Sequence, residues 1–108
     1  MQPQGHVQVL SNMIDLQFNP QQALDFPRFC ITFQHQDSSP SVVAIEETMN
    51  PDLIPALIEK GHNIRIVSGW KRTLFGRGQI IAVEVDSQGN PILVCGSDSR
   101  ADGMALAQ

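Results

Sequence analysis

A side-chain nucleophile needs a base within hydrogen-bond reach and donors for the oxyanion that forms. This chain offers few candidates. His6 and Ser11 are five apart on one predicted helix, too far round it to meet well. His35 stands near Asp37 and Ser38 in a polar run that reads as loop. His62 follows Gly61 and reads as helix-end polarity, where a basic group suits the dipole. There is no H-E-x-x-H, no paired Cys/His set and no ladder of acids, so neither a metal nor a cofactor is expected. G-R-G-Q at 76–79 has the glycines of a phosphate loop but lacks the Gly-Lys-Ser/Thr ending and precedes a strand. Cys30 and Cys95 have no C-x-x-C spacing. Their count allows a disulfide; their strand-type neighbours (Ile31, Phe33, Leu93, Val94) favour two buried free thiols.

The elements that would hold these groups begin with residues 1–29, which read as two helices with a proline closing each break. Val7, Leu10, Met13 and Ile14, extended by Leu16 and Phe18, form one apolar stripe at helical spacing. Asn19-Pro20 is a start signal, a capping side chain followed by a residue that needs no N–H. Ala23, Leu24 and Phe26 give a second, shorter face, and Pro27 ends it. Strands are predicted at 30–33, 41–46, 63–67, 79–86 and 91–95, with a loop at 34–41 and a hairpin turn at 87–90 that uses Gly89. Asn50-Pro51 repeats the cap-plus-proline signal before Leu53, Ile54, Leu57 and Ile58, with Gly61 just past the helix end and Pro55 awkward one turn in. Residues 68–77 read as a loop from which Trp70 and Phe75 tuck onto the core, and 97–108 as a tail.

The order helix, helix, strand, strand, helix, strand, strand, strand predicts an α+β fold with a mainly antiparallel sheet and helices on one face. Residues 79–86 are apolar in both directions, Ile80 with Ala82 and Ile81 with Val83 and Val85, so both faces of that strand should be covered. Three helices can cover one face; the other needs a partner. A length of 108 residues fits a single domain spanning 1–108 with a modest core. Only 17% of residues are charged, below the usual ~25%, which leaves little polar cover for a lone globule. A net charge of −4 argues against nucleic acid, and the one basic cluster, Lys71, Arg72 and Arg77, reads as a solvated loop. No apolar run reaches the ~18 residues of a membrane span, and MQPQGHVQ has neither the basic nor the apolar region of a signal peptide.

Several blocks resemble the γ-glutamyltranspeptidase family, and more closely its bacterial acylase-like branch. They are M-Q-P-Q-G-H-V-Q-V-L, N-M-I-D, N-P-Q-Q-A-L-D-x-P-R-F, K-G-H at 60–62, F-G-R-G-Q at 75–79 and G-S-D-S-R-A-D-G at 96–103. They span nearly the whole chain in the family's order. Phe26 stands where the family prefers a small residue, and Ser99 where it usually has proline. The resemblance implies half of the αββα sandwich of an N-terminal-nucleophile (Ntn) hydrolase, from the C-terminal part of its small subunit. It also implies that the nucleophilic threonine, the oxyanion glycines and the substrate-carboxylate ligands precede this segment, so no residue here is expected to be catalytic. Met1, Gln2 and Gln4 would lie close to those glycines, in a supporting role or as a plain helix lead-in. Arg28 and Arg100 sit in matched blocks, P-R-F and S-R-A-D; each reads as a substrate contact or, preferably, as a structural ion pair with Asp25, Asp98 or Asp102.

Two readings follow. In the first, the chain is a scaffold, inactive alone, of an autoprocessing enzyme that transfers or hydrolyses a γ-glutamyl or related acyl amide in a periplasmic, extracellular or cytoplasmic setting. Its partner is the remainder of that enzyme. In the second, it is a free-standing binding domain of the same ancestry. Codons upstream of Met1 separate them: an in-frame processing site and Gly-Gly pair favour the first, a stop codon and ribosome site the second. In either case the uncovered sheet face predicts self-association of the isolated chain, and neither nucleic acid nor membrane is an expected partner.

Overall fold

The structure, a computed structural model, describes residues 1–32 and 41–106. Phe33, the predicted loop with His35, Asp37 and Ser38, and the last two residues of the tail lie outside the described residues. Element order is α1 (Gln2–Ile14), α2 (Pro20–Asp25), β1 (Phe29–Thr32), β2 (Val42–Glu46), α3 (Leu53–Glu59), β3 (Asn63–Val67), a 3-10 helix (Gly69–Phe75), β4 (Gln79–Val85) and β5 (Pro91–Ser97). This is the mixed α+β class read from the sequence. Of the three strand pairings among the described residues, two are antiparallel and one is parallel. The chain groups into two compact units: Met1–Gly5 with Pro27–Gly76, and His6–Phe26 with Arg77–Gln108.

The first unit is a three-stranded sheet in the order β1-β2-β3. β1 and β2 run antiparallel, Phe29 opposite Ile45. β2 and β3 run parallel, Val42 opposite Asn63, and such a pair needs a crossover, which α3 supplies. Central β2 is the most buried strand: Ala44 and Ile45 are inaccessible, and Cys30, Val67 and Phe75 close the core, with Met1 and Leu74 packed against it.

Local signals explain most of α3, with one correction. Asn50 is not the N-cap. Its Oδ1 accepts from Asp52 N–H at 3.0 Å to form a turn, and the helix begins at Leu53. That start also removes the difficulty with Pro55, which falls in the first turn, where backbone N–H groups have no helical partner. At the other end Gly61 has φ +88°, its N–H donates to Ile58 O at 2.8 Å and His62 N–H donates to Leu57 O at 3.1 Å. That is the Schellman arrangement, and it satisfies two terminal carbonyls. A second correction concerns Trp70. Residues 69–75 form a 3-10 helix in which Phe75 is buried as expected, whereas Trp70 points to solvent at 88% exposure.

In the second unit α2 is capped as read. Asn19 Oδ1 accepts from Gln22 N–H at 2.8 Å, and Gln22 Oε1 accepts from Asn19 N–H at 3.1 Å, a reciprocal capping box with Pro20 at the first helical position. Asn19→Ala is expected to cost about 1 kcal/mol, and Asn50→Ala, which only opens a turn, under about 0.5 kcal/mol. Urea unfolding of both variants checks this; equal midpoint shifts would contradict the assignment. Pro20, Ala23 and Leu24 of α2 are buried and the helix packs on β5 and β4.

β4 and β5 form an antiparallel hairpin with Gln79 opposite Ser97 and Val85 opposite Pro91. Its turn is organised by Asp86, whose carboxylate accepts from the backbone of Gln88 and Asn90, both at 2.8 Å. The Asn90 backbone bond is the main cause holding that carboxyl below the usual aspartate range. Gly89, with φ +88°, closes the turn. The apolar stripe of α1 is present, but Val7, Leu10 and Ile14 are all more than half exposed, and the residue the helix buries is Asn12. No helix among the described residues is long and apolar enough to cross a membrane.

Candidate functional site

The sequence blocks singled out above meet in two buried polar clusters. In the second unit, Gly96 passes so close to the first turn of α2 that an added Cβ would lie 2.7 Å from Pro20 C and 2.8 Å from Gln21 N. Two residues on, Asp98 is 1% exposed. Its Oδ1 accepts from Arg100 N–H and from Arg100 Nη1, both at 3.0 Å, and its Oδ2 accepts from Gly78 N–H at 2.9 Å. Arg100 also donates to the C-terminal end of α2: Nη1 to Leu24 O at 2.6 Å and Nη2 to Phe26 O at 3.1 Å. The guanidinium fork suits this task, since it neutralises a buried carboxylate and satisfies carbonyls that the end of α2 leaves open. Phe26 itself lies at the surface against Phe18, ring centroids 5.4 Å apart.

In the first unit the centre is Glu46, 1% exposed at the end of β2. Its Oε2 accepts from the backbone N–H of Arg28 at 2.8 Å and its Oε1 pairs with Arg72 Nε at 2.8 Å. Arg28, 2% exposed, donates from Nη1 to Phe75 O at 3.2 Å. Glu47 Oε1 accepts from Gly69 N–H at 3.4 Å. The 3-10 helix is thus held at its start, middle and end by Glu47, Glu46 and Arg28.

The other residues named from the sequence have plain places. Gln4 holds β1 by two bonds to one residue, donating to Ile31 O at 3.1 Å and accepting from Ile31 N–H at 2.8 Å. Met1 is half-buried against the first core, and Gln2 is exposed. Asp25 accepts from Gln21 Nε2 at 3.0 Å, and Asp102 is exposed in the final turn. Cys30 and Cys95 are free thiols, buried and half-buried. Ser11 of α1 donates to Asp15, just past the helix end. His6 and His62 are exposed. No group of metal-ligating side chains is present among the described residues. Sequence reading missed Glu46 and Gln21. The first was legible only as a strand end, and the second makes with Ser97 the same two-point backbone pair that Gln4 makes with Ile31. The chemistry of both clusters is that of anchoring, because every donor and acceptor just described is turned onto the protein's own backbone or a partner charge.

Comparison with known proteins agrees with the sequence blocks. The gamma-glutamyltranspeptidase family model matches residues 1–108. The glutathione hydrolase-like YwrD proenzyme of Bacillus subtilis (strain 168) is 29% identical over 105 residues, which is 97% of this chain and 19% of that protein. Among solved structures, cephalosporin acylase from Bacillus halodurans superposes with a TM-score of 0.72 at 39% identity, covering 94% of this chain and 17% of the acylase chain. A Helicobacter pylori gamma-glutamyltranspeptidase gives 0.70 at 26% identity, covering 92% of this chain and 48% of its own. The chain therefore spans about a fifth of the curated relative and less than half of these solved chains. Over the matched part it shares the α+β Ntn-hydrolase fold of these enzymes. With a match over its whole length, the chain belongs to the gamma-glutamyltranspeptidase family.

Proposed function

We propose that this chain is a C-terminal scaffold portion of a γ-glutamyltranspeptidase-like amide hydrolase or transferase, inactive alone and completed by the rest of that enzyme. The observation that carries the reading is the match itself: all 108 residues fit the family, yet they span 19% of the curated relative. Two features support it. Among the described residues, the bonds of the buried charges run to helix ends, strand ends and one another. The apolar faces of α1 (Val7, Leu10, Ile14) and of β4–β5 (Ile81, Val83, Val85, Leu93) are exposed. Burying a Val, Leu or Ile fully is worth about 1.5–3 kcal/mol, so seven such side chains left in water are a large stabilisation unrealised. A covering segment of the same polypeptide recovers it without the roughly 4–15 kcal/mol that bimolecular association costs.

The purified chain is expected to release no p-nitroaniline from γ-glutamyl-p-nitroanilide above the buffer rate. Loss of even one oxyanion donor lowers turnover by about 10²–10³. Measurable turnover that a single substitution within residues 1–108 abolishes would overturn the reading.

A further inference from the structure

The β4–β5 ribbon has a stopper at the Ser97 end of its β5 edge and, among the described residues, none on its β4 edge. Asp98 N–H donates to Gly78 O at 3.1 Å, and Asp86 N–H donates to Asn90 O at 2.9 Å. Given the antiparallel register, positions 78, 80, 82, 84 and 86 turn their main-chain groups toward β5. Those of Gln79, Ile81, Val83 and Val85 turn outward. On β5 the same alternation turns Ser97 outward, and there Gln21 has taken both groups, accepting from Ser97 N–H at 3.0 Å and donating to Ser97 O at 2.9 Å. The outer edge of β4 has no such stopper: among the described residues β4 pairs with β5 alone. Its sequence, QIIAVEV, has four β-branched residues, one charge and no proline. Ile81, Val83 and Val85 are each about 70% exposed, and the residues opposite them are Cys95, Leu93 and Pro91, so that face carries no charge. A seven-residue edge of this kind is a template for another strand.

We propose that this edge binds a second copy of the chain, β4 against β4 antiparallel across a two-fold axis, making a continuous β5-β4-β4-β5 sheet. The strand is self-complementary in that arrangement. With Ala82 on the axis, Ile81 pairs with Val83 of the second copy and Gln79 with its Val85, which uses the outward-turned main-chain groups on both sides. Glu84 then meets Ile80 and never another Glu84. The contact concerns the chain as it stands and does not rest on the enzyme reading: an inactive monomer would end this proposal and leave that one intact.

The test is sedimentation equilibrium of the whole chain over roughly 5–500 µM, where a contact worth a few backbone bonds shows itself. A monomer–dimer equilibrium is expected, and amide exchange at Ile81 and Val83 should slow as the dimer fills. Val83→Pro removes one edge donor that the β4–β5 ladder does not use, so it should keep the far-UV spectrum and raise the dimer Kd at least ~10-fold. Leu93→Lys, on the same face but away from the edge, should change Kd less than ~3-fold. A strictly monomeric chain, a Val83→Pro dimer as tight as the parent, or a dimer whose Ile81 and Val83 amides exchange at a concentration-independent rate would each overturn the proposal. The exchange measurement decides the matter on the unsubstituted chain if Val83→Pro fails to fold.

Discussion

Arg100→Met should remove about 3–5 kcal/mol of this chain's stability. The Arg100 side chain is fully buried and makes three kinds of contact: two bonds to carbonyls at the end of α2, one to Asp98 Oδ1, and a charge opposite a carboxylate that is itself fully buried. Methionine fills the space but removes the charge that faces Asp98 Oδ1 and the donors that reach Leu24 O and Phe26 O. Breaking a buried pair in this way costs about 3–5 kcal/mol, against roughly 5–15 kcal/mol for the total stability of a small domain. Arg100→Lys should recover only part, because one ammonium cannot reach Leu24 O, Phe26 O and Asp98 together. Adding Asp98→Asn to Arg100→Met should restore stability, since the amide is neutral and its oxygen can still accept from Gly78 N–H. Circular dichroism against urea reads all three; a loss under 1 kcal/mol for Arg100→Met would show that the pair is solvated.

Gly96→Ala is the second large effect expected, and its cause is steric. The added methyl would meet the backbone of Pro20 and Gln21, not a side chain that can turn away. That backbone cannot retreat freely: the Asn19–Gln22 capping box and the two Gln21–Ser97 bonds pin it. Overpacking of this sort costs about 1–3 kcal/mol, and the backbone contact puts Gly96→Ala at the upper end. At roughly 4–8 °C per kcal/mol the melting temperature should fall by more than 10 °C. Gly89→Ala is the control. Nothing lies within 4 Å of its Cβ site, so only the positive φ opposes it, at about 1–2 kcal/mol. Gly89→Ala as damaging as Gly96→Ala would show that β5 and α2 are not in close contact.

The blocks that carried the family resemblance are, in this structure, the places where distant segments touch. G-S-D-S-R brings Gly96 onto α2 and joins Asp98 to Arg100; F-G-R-G-Q supplies the Gly78 N–H that Asp98 accepts and the Phe75 carbonyl that Arg28 meets. The sequence marked these residues without saying what they do, since all of these contacts but the Asp98–Arg100 pair join residues far apart in the chain. Local chemistry was legible and separates the two Asn-Pro signals. Asn19 is followed three residues later by Gln22, which completes a capping box; Asn50 is followed by Leu53, which cannot, and the helix starts later. Periodicity also identified the faces of β4 and of α1, apart from Leu16 and Phe18, which lie past the end of that helix, because it reports which side chains share a side. It does not report whether that side is covered, so Val7, Leu10 and Ile14 are apolar, aligned and in water. Glu46 was hidden for the opposite reason: a charge at a strand end ordinarily faces solvent, and only the fold shows it enclosed.

The outward-pointing Trp70 has a spectroscopic consequence. It is the chain's one tryptophan, and there is no tyrosine, so the near-ultraviolet emission of the protein comes from a single indole already surrounded by water. Denaturation moves that ring from one aqueous environment to another. Fluorescence will therefore be nearly blind to unfolding, and a flat trace must not be taken for a stable or a structureless protein. The same ring is a sensitive reporter of a different event: any polypeptide that settles over the 3-10 helix dehydrates it, and a blue shift of its emission signals assembly, not folding.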